Sequence, residues 1–271
     1  MLAGPKIHSP ATVWDALSAR VAESVGYELG ILSGSVCGAT VLGAPDIGMQ
    51  TLTEFADQVR RVTRCSDLSV FVDADQGYGN ALNAMRTVEE LEHAGLAGLA
   101  IEDLVMPARF GAEDDELISI DEMKGKLRAA LAARRDPSLV IAARTASVRL
   151  EPVDQVVARA RAYESTGVDA LFITALKELE HLDAVRAAVK LPILVGTAPL
   201  DRKDLEARGV RFCLQGHGAV AAVARALRDT YSHLHSGGAP AGLKDRIASP
   251  EEMERLVGGE RYRRWQRDYL R

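Results

Sequence analysis

Two aspartates separated by a single residue stand directly after a short apolar segment, Ser69–Val72. In an extended strand the side chains of residues i and i+2 point to the same side, so Asp73 and Asp75 can direct their carboxylates toward one point. Hard divalent cations such as Mg²⁺ prefer oxygen ligands of this kind. The glycines Gly77 and Gly79 let the backbone turn sharply just beyond the pair. The spacing therefore predicts either a metal site or an aspartate-rich turn at a strand end.

A repeated junction indicates which elements position this pair. A helix ending in glutamate, two further residues, a glycine and then a strand occur four times, at Glu23–Ser33, Glu92–Glu102, Glu164–Thr174 and Glu206–Gln215. The glycine supplies the left-handed residue that ends a helix without steric cost. The strands that follow are apolar or small throughout, which is typical of parallel strands covered on both faces.

Eight strands alternating with helices are predicted in all. The strands are expected near Ile7 and at Leu29–Leu32, Ser69–Val72, Gly98–Ile101, Leu139–Ala143, Ala170–Ile173, Pro192–Val195 and Arg211–Leu214. The helices are expected at Thr12–Ser24, Thr51–Arg64, Ala81–His93, Ile120–Arg134, Pro152–Thr166, Leu179–Val189, Lys203–Arg208 and Ala219–His233. Strict alternation over this length favours an α/β fold of the (β/α)8 TIM-barrel type, with a doubly wound open sheet as the alternative. No GxGxxG follows the first strand, which argues against the open sheet.

The chain divides into a barrel and a tail. Residues 1–235 are predicted to form the catalytic (β/α)8 barrel, and residues 236–271 a linker followed by an extra C-terminal helix at Pro250–Tyr269. This helix carries aromatic residues on one face: Tyr262, Trp265 and Tyr269. That face is expected to pack either on its own barrel or on a neighbouring subunit.

Composition excludes several classes of protein. Of 271 residues, 47% are hydrophobic and 26% charged, which are ordinary globular values. A net charge of -5 provides no basic field for nucleic acid. The chain has no apolar run long enough for a membrane helix and no signal-peptide pattern at Met1–Pro10, so a cytoplasmic protein without membrane partners is expected. Three widely spaced cysteines, Cys37, Cys65 and Cys213, indicate neither a disulfide framework nor a zinc site.

Barrel active sites lie at the carboxyl ends of the strands, called here the mouth. Polar residues follow five predicted strands, at Ser33-Gly34-Ser35, Asp73-Ala74-Asp75, Glu102-Asp103, Arg144-Thr145 and Gln215-Gly216-His217. Asp73 is expected to ligate Mg²⁺ directly while Asp75 and Glu102 hold its waters, since Mg²⁺ usually takes only one or two carboxylates. The planar guanidinium of Arg144 suits a carboxylate or a developing enolate oxygen.

Taken together, the motifs resemble the isocitrate lyase and phosphoenolpyruvate mutase superfamily in order from about residue 8 to about residue 235. They are Ser33-Gly34-Ser35, Gly43-Ala44-Pro45-Asp46, Asp73 to Asn80, Ile101-Glu102-Asp103, Ala143-Arg144-Thr145 and Gly216-His217. The chain is most similar to the bacterial oxaloacetate decarboxylase branch. That similarity lies in Asn80 to Asn83, Met85-Arg86-Thr87, Pro107 to Gly111, Trp265 and Tyr269.

The resemblance implies roles for individual residues. Asp73 corresponds to the direct Mg²⁺ ligand, with Mn²⁺ as a second candidate metal, and three acids correspond to residues that hold its waters: Asp46, Asp75 and Glu102. The Ser33, Gly34 and Ser35 turn would bind the substrate carboxylate, while Arg144 and His217 would contact substrate oxygens as catalytic residues. The resemblance also implies a last helix swapped between subunits and a homotetramer of two such dimers.

The implied activity is that of a lyase. It is Mg²⁺-dependent decarboxylation of oxaloacetate, or of a close 3-carboxylated α-keto acid, to pyruvate and CO₂ through a metal-stabilised enolate. One alternative is a carbon–carbon lyase acting on a substituted malate, of the dimethylmalate or methylisocitrate type. A second alternative is a catalytically weakened barrel that binds metabolites such as α-keto or 2-hydroxy dicarboxylates.

Several positions depart from the branches of this superfamily. The segment Leu104–Leu117 is expected to be a mobile lid, but it lacks the cysteine that supplies a proton in the isocitrate and methylisocitrate lyases. Relative to the decarboxylase branch, Gln76 replaces a histidine, Ala146 an asparagine, and the Gly196–Ala198 stretch a tyrosine. These changes alter the polar groups that line the mouth, and they concern turnover of oxaloacetate rather than metal binding.

Overall fold

A computed structural model describes all 271 residues, and eight parallel strands form its centre. The strands pair in chain order: β1 (Ala11–Thr12), β2 (Leu29–Leu32), β3 (Ser69–Asp73), β4 (Gly98–Glu102), β5 (Val140–Thr145), β6 (Ala170–Ile173), β7 (Ile193–Val195) and β8 (Val210–Cys213). His8 closes the circle by pairing with β8, because its N–H donates to Arg211 O at 2.7 Å and its carbonyl accepts from Cys213 N at 3.0 Å. The (β/α)8 fold is therefore confirmed, and an open doubly wound sheet is excluded.

Helices follow the strands, and most surround the barrel. They are α1 (Ala16–Ser24), α2 (Gly34–Cys37), α3 (Leu52–Thr63), α4 (Ala81–His93), α5 (Ile120–Ala133), α6 (Ser147–Leu150), α7 (Val153–Glu164), α8 (Leu179–Ala188), α9 (Arg202–Ala207) and α10 (Gly218–His235). The four-residue helices α2 and α6 lie at the carboxyl ends of β2 and β5. The prediction that the first helix begins at Thr12 is wrong, because Ala11–Thr12 form β1 and the Asp15 side chain caps α1 by accepting from Ser18 N at 2.7 Å. None of the helices is both long and apolar enough to span a membrane.

Alternate residues of the strands fill the barrel interior. The inward-facing apolar residues pack into one buried cluster that includes Phe71, Ala100, Ala142, Phe172 and Phe212. The ring of Phe71 meets Phe172 and Phe212 edge to face at centroid distances of 6.5 and 6.0 Å. Because the interior is packed in this way, a ligand can enter only above this layer, at the mouth.

The C-terminal tail differs from its prediction. The single helix expected over Pro250–Tyr269 is two helices, α11 (Pro250–Leu256) and α12 (Gly259–Tyr269). Gly258 separates them with a left-handed φ of +70°, a conformation that favours glycine and interrupts a helix. The aromatic face of α12 is exposed, with Tyr262 and Trp265 in edge-to-face contact at 5.3 Å.

Candidate active site

On three strands, the side chains that face the barrel interior are followed, toward the mouth, by charged residues. Two residues beyond the core residues Phe71, Ala100 and Ala142, the same strands present three charged side chains at the mouth: Asp73, Glu102 and Arg144. Glu102 and Arg144 are direct partners in the β4–β5 register. The period of the strands thus brings these three side chains together above the phenylalanine layer.

An ion-pair triad forms at this position. Arg144 Nη1 lies 2.7 Å from Asp73 Oδ1, to which it donates a hydrogen bond, and 2.7 Å from Glu102 Oε2. The Arg144 guanidinium also lies 5.7 Å from the centre of the Phe172 ring, which forms the floor beneath it. The contact with Glu102 lacks the alignment of a hydrogen bond, so both buried Glu102 oxygens are without a hydrogen-bond donor.

Asp75 approaches the triad from a bent segment of chain. Its backbone adopts a left-handed φ of +46°, and its carbonyl accepts from Glu102 N at 2.8 Å. The carboxylate is held against Gly34, where a Cβ atom would lie only 2.2 Å from Asp75 Oδ1. Glycine at position 34 is therefore required for this close approach.

The carboxylates disfavour one another's charge. Burial, with a further contribution from Asp73, raises the pKa of Asp75 to about 8. Burial raises the pKa of Glu102 to about 7, although Arg144 opposes this shift. Burial and the Asp73 charge also raise the pKa of Asp46, which lies on the exposed loop after α2. The single arginine does not neutralise this set of acids.

The donor set suits a divalent cation even though no three such side chains stand in metal-binding geometry. Arg144 lies between Asp73 and Glu102 in this arrangement. Mg²⁺ needs only one or two direct carboxylates, keeps several waters and prefers oxygen ligands. The unpartnered Glu102 oxygens and the mutual repulsion of the acids are what a cation and its waters would relieve.

A histidine after β8 is linked by hydrogen bonds to residues at β1 and β2, across the point where the barrel closes. His217 Nδ1 lies 3.0 Å from Thr12 Oγ1, and its Nε2 lies 3.2 Å from Ser33 Oγ. Ser33 Oγ is in turn 2.9 Å from Ser35 Oγ. Partial burial lowers the pKa of His217, so the ring is neutral near pH 7 and can exchange donor and acceptor roles with the hydroxyls.

The structure brings the predicted residues to one mouth, with one exception in direction. Asp103 directly follows β4 and continues its outward row, so its carboxylate points away from the mouth toward α7 and accepts a hydrogen bond from Tyr163 there. Ala146 is buried just beyond β5. Gln76 donates from Nε2 to Met106 O at 2.6 Å and so contacts the lid rather than the acids.

Sequence reasoning missed two groups near the site. Thr12 was assigned to a helix, although it is the residue that holds His217. Gln50 donates to the hydroxyl of Tyr78 at 3.2 Å, in the turn that follows β3. The only available signal was the polar character of these residues, because their partners are distant in the sequence.

A parallel barrel with acids, one arginine and one histidine at its mouth is typical of enzymes that act on small molecules. Comparison with known proteins identifies the family. The phosphoenolpyruvate phosphomutase family model matches residues 5–235. The chain is 50% identical over 260 residues to an oxaloacetate decarboxylase of Bradyrhizobium diazoefficiens, covering 95% of this chain and 90% of that protein. This protein therefore belongs to the phosphoenolpyruvate mutase and isocitrate lyase superfamily.

Solved structures agree with this assignment. The phosphoenolpyruvate phosphomutase from Streptomyces platensis subsp. rosaceus superimposes with a TM-score of 0.89 at 27% identity, covering 100% of this chain and 97% of that one. A phosphonopyruvate hydrolase in complex with oxalate and Mg²⁺ superimposes with a TM-score of 0.86 at 26% identity, covering 98% and 95%.

Proposed function

We propose that this protein is a Mg²⁺-dependent lyase that decarboxylates oxaloacetate to pyruvate and CO₂. The observation that carries the proposal is the Asp73–Arg144–Glu102 triad, in which one guanidinium and two carboxylates lie above a packed apolar floor. Identity of 50% to an oxaloacetate decarboxylase over nearly the whole chain supports this choice of substrate.

The metal would be held by the acids of the mouth. Asp73 is the proposed direct ligand of Mg²⁺, or of Mn²⁺, while three further acids hold its waters: Asp46, Asp75 and Glu102. The bound metal supplies Lewis-acid polarisation of the keto group of the substrate. The phosphonopyruvate hydrolase with bound oxalate and Mg²⁺ supports this assignment, since oxalate is a small dicarboxylate.

The remaining residues bind and orient the substrate. The hydroxyl and backbone donors of Ser33, Gly34 and Ser35 are proposed to bind the carboxylate next to the keto group. His217, held neutral between Thr12 and Ser33, orients substrate oxygens without adding a competing charge.

Arg144 is proposed to stabilise charge as the reaction proceeds. The bond between C3 and the departing carboxylate breaks, and its electron pair moves through C2 onto the keto oxygen. A fixed guanidinium on a buried floor stabilises negative charge at that oxygen more strongly than water would. A proton from solvent then adds to C3 and yields pyruvate.

Pyruvate release from oxaloacetate tests the proposal directly. Release is expected in the presence of Mg²⁺, to be abolished by a chelator, and to be inhibited by oxalate. A parallel screen of substituted malates separates decarboxylation from carbon–carbon lyase chemistry. Turnover no faster than the spontaneous decay of oxaloacetate, or turnover indifferent to the chelator, would contradict the proposal.

We further propose that residues 1–235 form the catalytic barrel and that 236–271 pack on a neighbouring subunit. The barrel helix α10 has no buried residue and exposes an apolar face: Val223, Leu227, Tyr231 and Leu234. A groove of about 580 Å³ lies between α1 and the start of α10 and is lined mainly by apolar side chains. A helix exchange between subunits, followed by pairing of dimers into a tetramer, would cover both surfaces.

A further inference from the structure

We propose that Arg159 and Tyr163 on α7 are positioning residues. They fix the relative positions of the ends of β4 and β5, which carry the charged residues of the site, and of the end of the lid at Ile118. The inference rests on the proposed function, because it concerns the same site seen from behind. Neither residue reaches the mouth, and both are buried between the barrel and its outer helices.

The outward rows of β4 and β5 carry the first part of this network. Asp103 and Thr145 follow Glu102 and Arg144 directly, so they stand back to back with the charged residues of the site. Asp103 Oδ2 accepts hydrogen bonds from Thr145 Oγ1 and from the Tyr163 hydroxyl, both at 2.7 Å. The Asp103 side chain is therefore fixed by groups on two other elements.

Arg159 extends the network to the lid. Its Nη1 donates to Ile118 O at 2.9 Å and to the Tyr163 hydroxyl at 3.0 Å, and lies 3.5 Å from Asp103 Oδ2. Its other nitrogens donate to both oxygens of Glu151 at 2.7 and 2.8 Å. A bidentate pair of this kind fixes the plane of the guanidinium.

The backbone connects this network to the site. Asp103 N donates to Arg144 O at 3.2 Å, and Ile118 N donates to Asp103 O at 2.8 Å. Ile118 is the residue at which the chain returns from the lid, whose neck is a Leu104–Leu117 bridge. Displacing Asp103 thus shifts Glu102, Arg144 and the lid base together, and small displacements of reacting groups are costly to rate.

A second arginine provides a matched control at the other end of the same strand. Arg134 Nη1 donates to the carboxylate of Asp169 at 2.6 Å and to Leu139 O at 2.9 Å, where β5 begins. Like Arg159 it donates to a carboxylate and to a backbone carbonyl, but it lacks the tyrosine and the second carboxylate and lies far from the mouth. A purely structural role for Arg159 predicts similar effects of the two lysine variants.

The experiment compares Tyr163→Phe, Arg159→Lys and the control Arg134→Lys in the full-length protein. Trypsin cleavage after the exposed Arg109 reports on the lid, through appearance of the fragment that begins at Phe110. Steady-state kinetics with oxaloacetate and Mg²⁺ report on the strand ends. Circular dichroism gives the unfolding temperature of each variant.

We expect faster cleavage after Arg109 and a kcat lower by about tenfold or more in both α7 variants, with KM changed less than kcat. The control variant Arg134→Lys should have a lower unfolding temperature but the same rate of cleavage after Arg109 and the same kcat as the wild type. Tyr163→Phe retains the aromatic ring, so it keeps the test decisive should Arg159→Lys not fold. Cleavage and kcat that match the Arg134→Lys control would overturn the inference.

The proteolysis arm separates this inference from the proposed function. If the wild-type protein does not decarboxylate oxaloacetate, the proposed function fails, while cleavage after Arg109 still reports on the lid base. Slow cleavage in the wild type and fast cleavage in both α7 variants then supports the network; equal cleavage in all proteins refutes it.

Discussion

At the scale of single residues, Arg144 dominates the electrostatics of the mouth. Burial alone would lower its pKa, but the carboxylates of Asp73 and Glu102 raise it, so the guanidinium stays charged. One fixed positive charge faces several acids and leaves the site negative overall. This excess of negative charge favours the binding of a divalent cation at the mouth, rather than compensation by a second basic side chain.

Replacing Arg144 by lysine keeps the charge and removes the planar fork. Because the two side chains differ in shape and hydrogen-bonding geometry, we expect kcat for oxaloacetate to fall about a hundredfold or more. Steady-state kinetics at saturating Mg²⁺ measure this loss. A kcat within a few-fold of wild type would show that Arg144 does not act on the developing charge.

Gln76 offers a test of how the lid is fastened at its outgoing end. The change Gln76→Glu replaces the donor that faces Met106 O with an oxygen, so attraction becomes repulsion, while Gln76→Ala only removes the bond. Trypsin cleavage after Arg109 is therefore expected to be fastest in the glutamate variant and intermediate in the alanine variant. Identical cleavage rates in the two variants and the wild type would exclude this contact.

At the scale of elements, the site depends on how closely α2 approaches the turn after β3. Glycine at position 34 leaves room for Asp75, whereas a Cβ atom at position 38, in the same segment, would make only ordinary van der Waals contacts, the nearest with Ala44 O at 3.7 Å. Both positions have helical neighbours, so they differ mainly in what an added methyl group would meet.

The pair of variants Gly34→Ala and Gly38→Ala tests this dependence. The first should displace the Asp75 carboxylate and weaken Mg²⁺ binding about tenfold or more, since supporting contacts tune metal affinity on that scale. The second should bind Mg²⁺ like the wild type. Calorimetric titration of Mg²⁺ in the presence of oxalate measures both, and equal affinities would contradict the role assigned to Gly34.

The element pattern also shows what the sequence could and could not predict. The period of two along β3, β4 and β5 placed Asp73, Glu102 and Arg144 at one mouth correctly. The same period also predicts that Asp103, one residue further, faces outward. It cannot predict the partners of Asp103, because Tyr163 and Arg159 lie on a helix about sixty residues away and no local pattern connects them. The break at Gly258 had a local signal in the Gly258-Gly259 pair, a dipeptide that marks turns, and the prediction of one continuous helix overlooked it.

At the scale of the whole molecule, the buried acids make stability depend on pH and metal. The pKa of Asp75 is about 8 in the folded protein, above its ordinary value of 3.8. A carboxyl group with a raised folded pKa stabilises the fold below its unfolded pKa, and this contribution is lost as pH rises through the folded value. The metal-free protein should therefore lose stability between about pH 4 and about pH 8.

Mg²⁺ should reverse this loss, because it binds the deprotonated acids. The rise in unfolding temperature on adding Mg²⁺ is expected to be larger at about pH 8.5 than at about pH 6. Thermal melts with and without Mg²⁺ at both values measure the difference, and Asp73→Asn, which retains the shape of the side chain, should lose it. An effect of Mg²⁺ that is independent of pH would argue against binding at these acids.

Assembly can be tested on the exposed face of α10. Leu227→Glu places a charge on the apolar face of α10 that the exchanged C-terminal segment is proposed to cover, and should lower the molar mass measured by light scattering. Leu82→Glu on α4, at a leucine that is 72% exposed and lies on neither α10 nor the groove, serves as the control. A molar mass unchanged by Leu227→Glu would contradict the proposed helix exchange.

The hydrogen bond between Thr12 and His217 has a consequence for how the protein is made. The acids and Arg144 all lie within residues 46–144, whereas the histidine side of the pocket joins residues 205 positions apart. Contacts between distant residues form late because the intervening chain must first be closed into a loop. During synthesis from the N-terminus, the acids can therefore come together before β8 has left the ribosome, and the pocket gains its histidine only when the barrel closes.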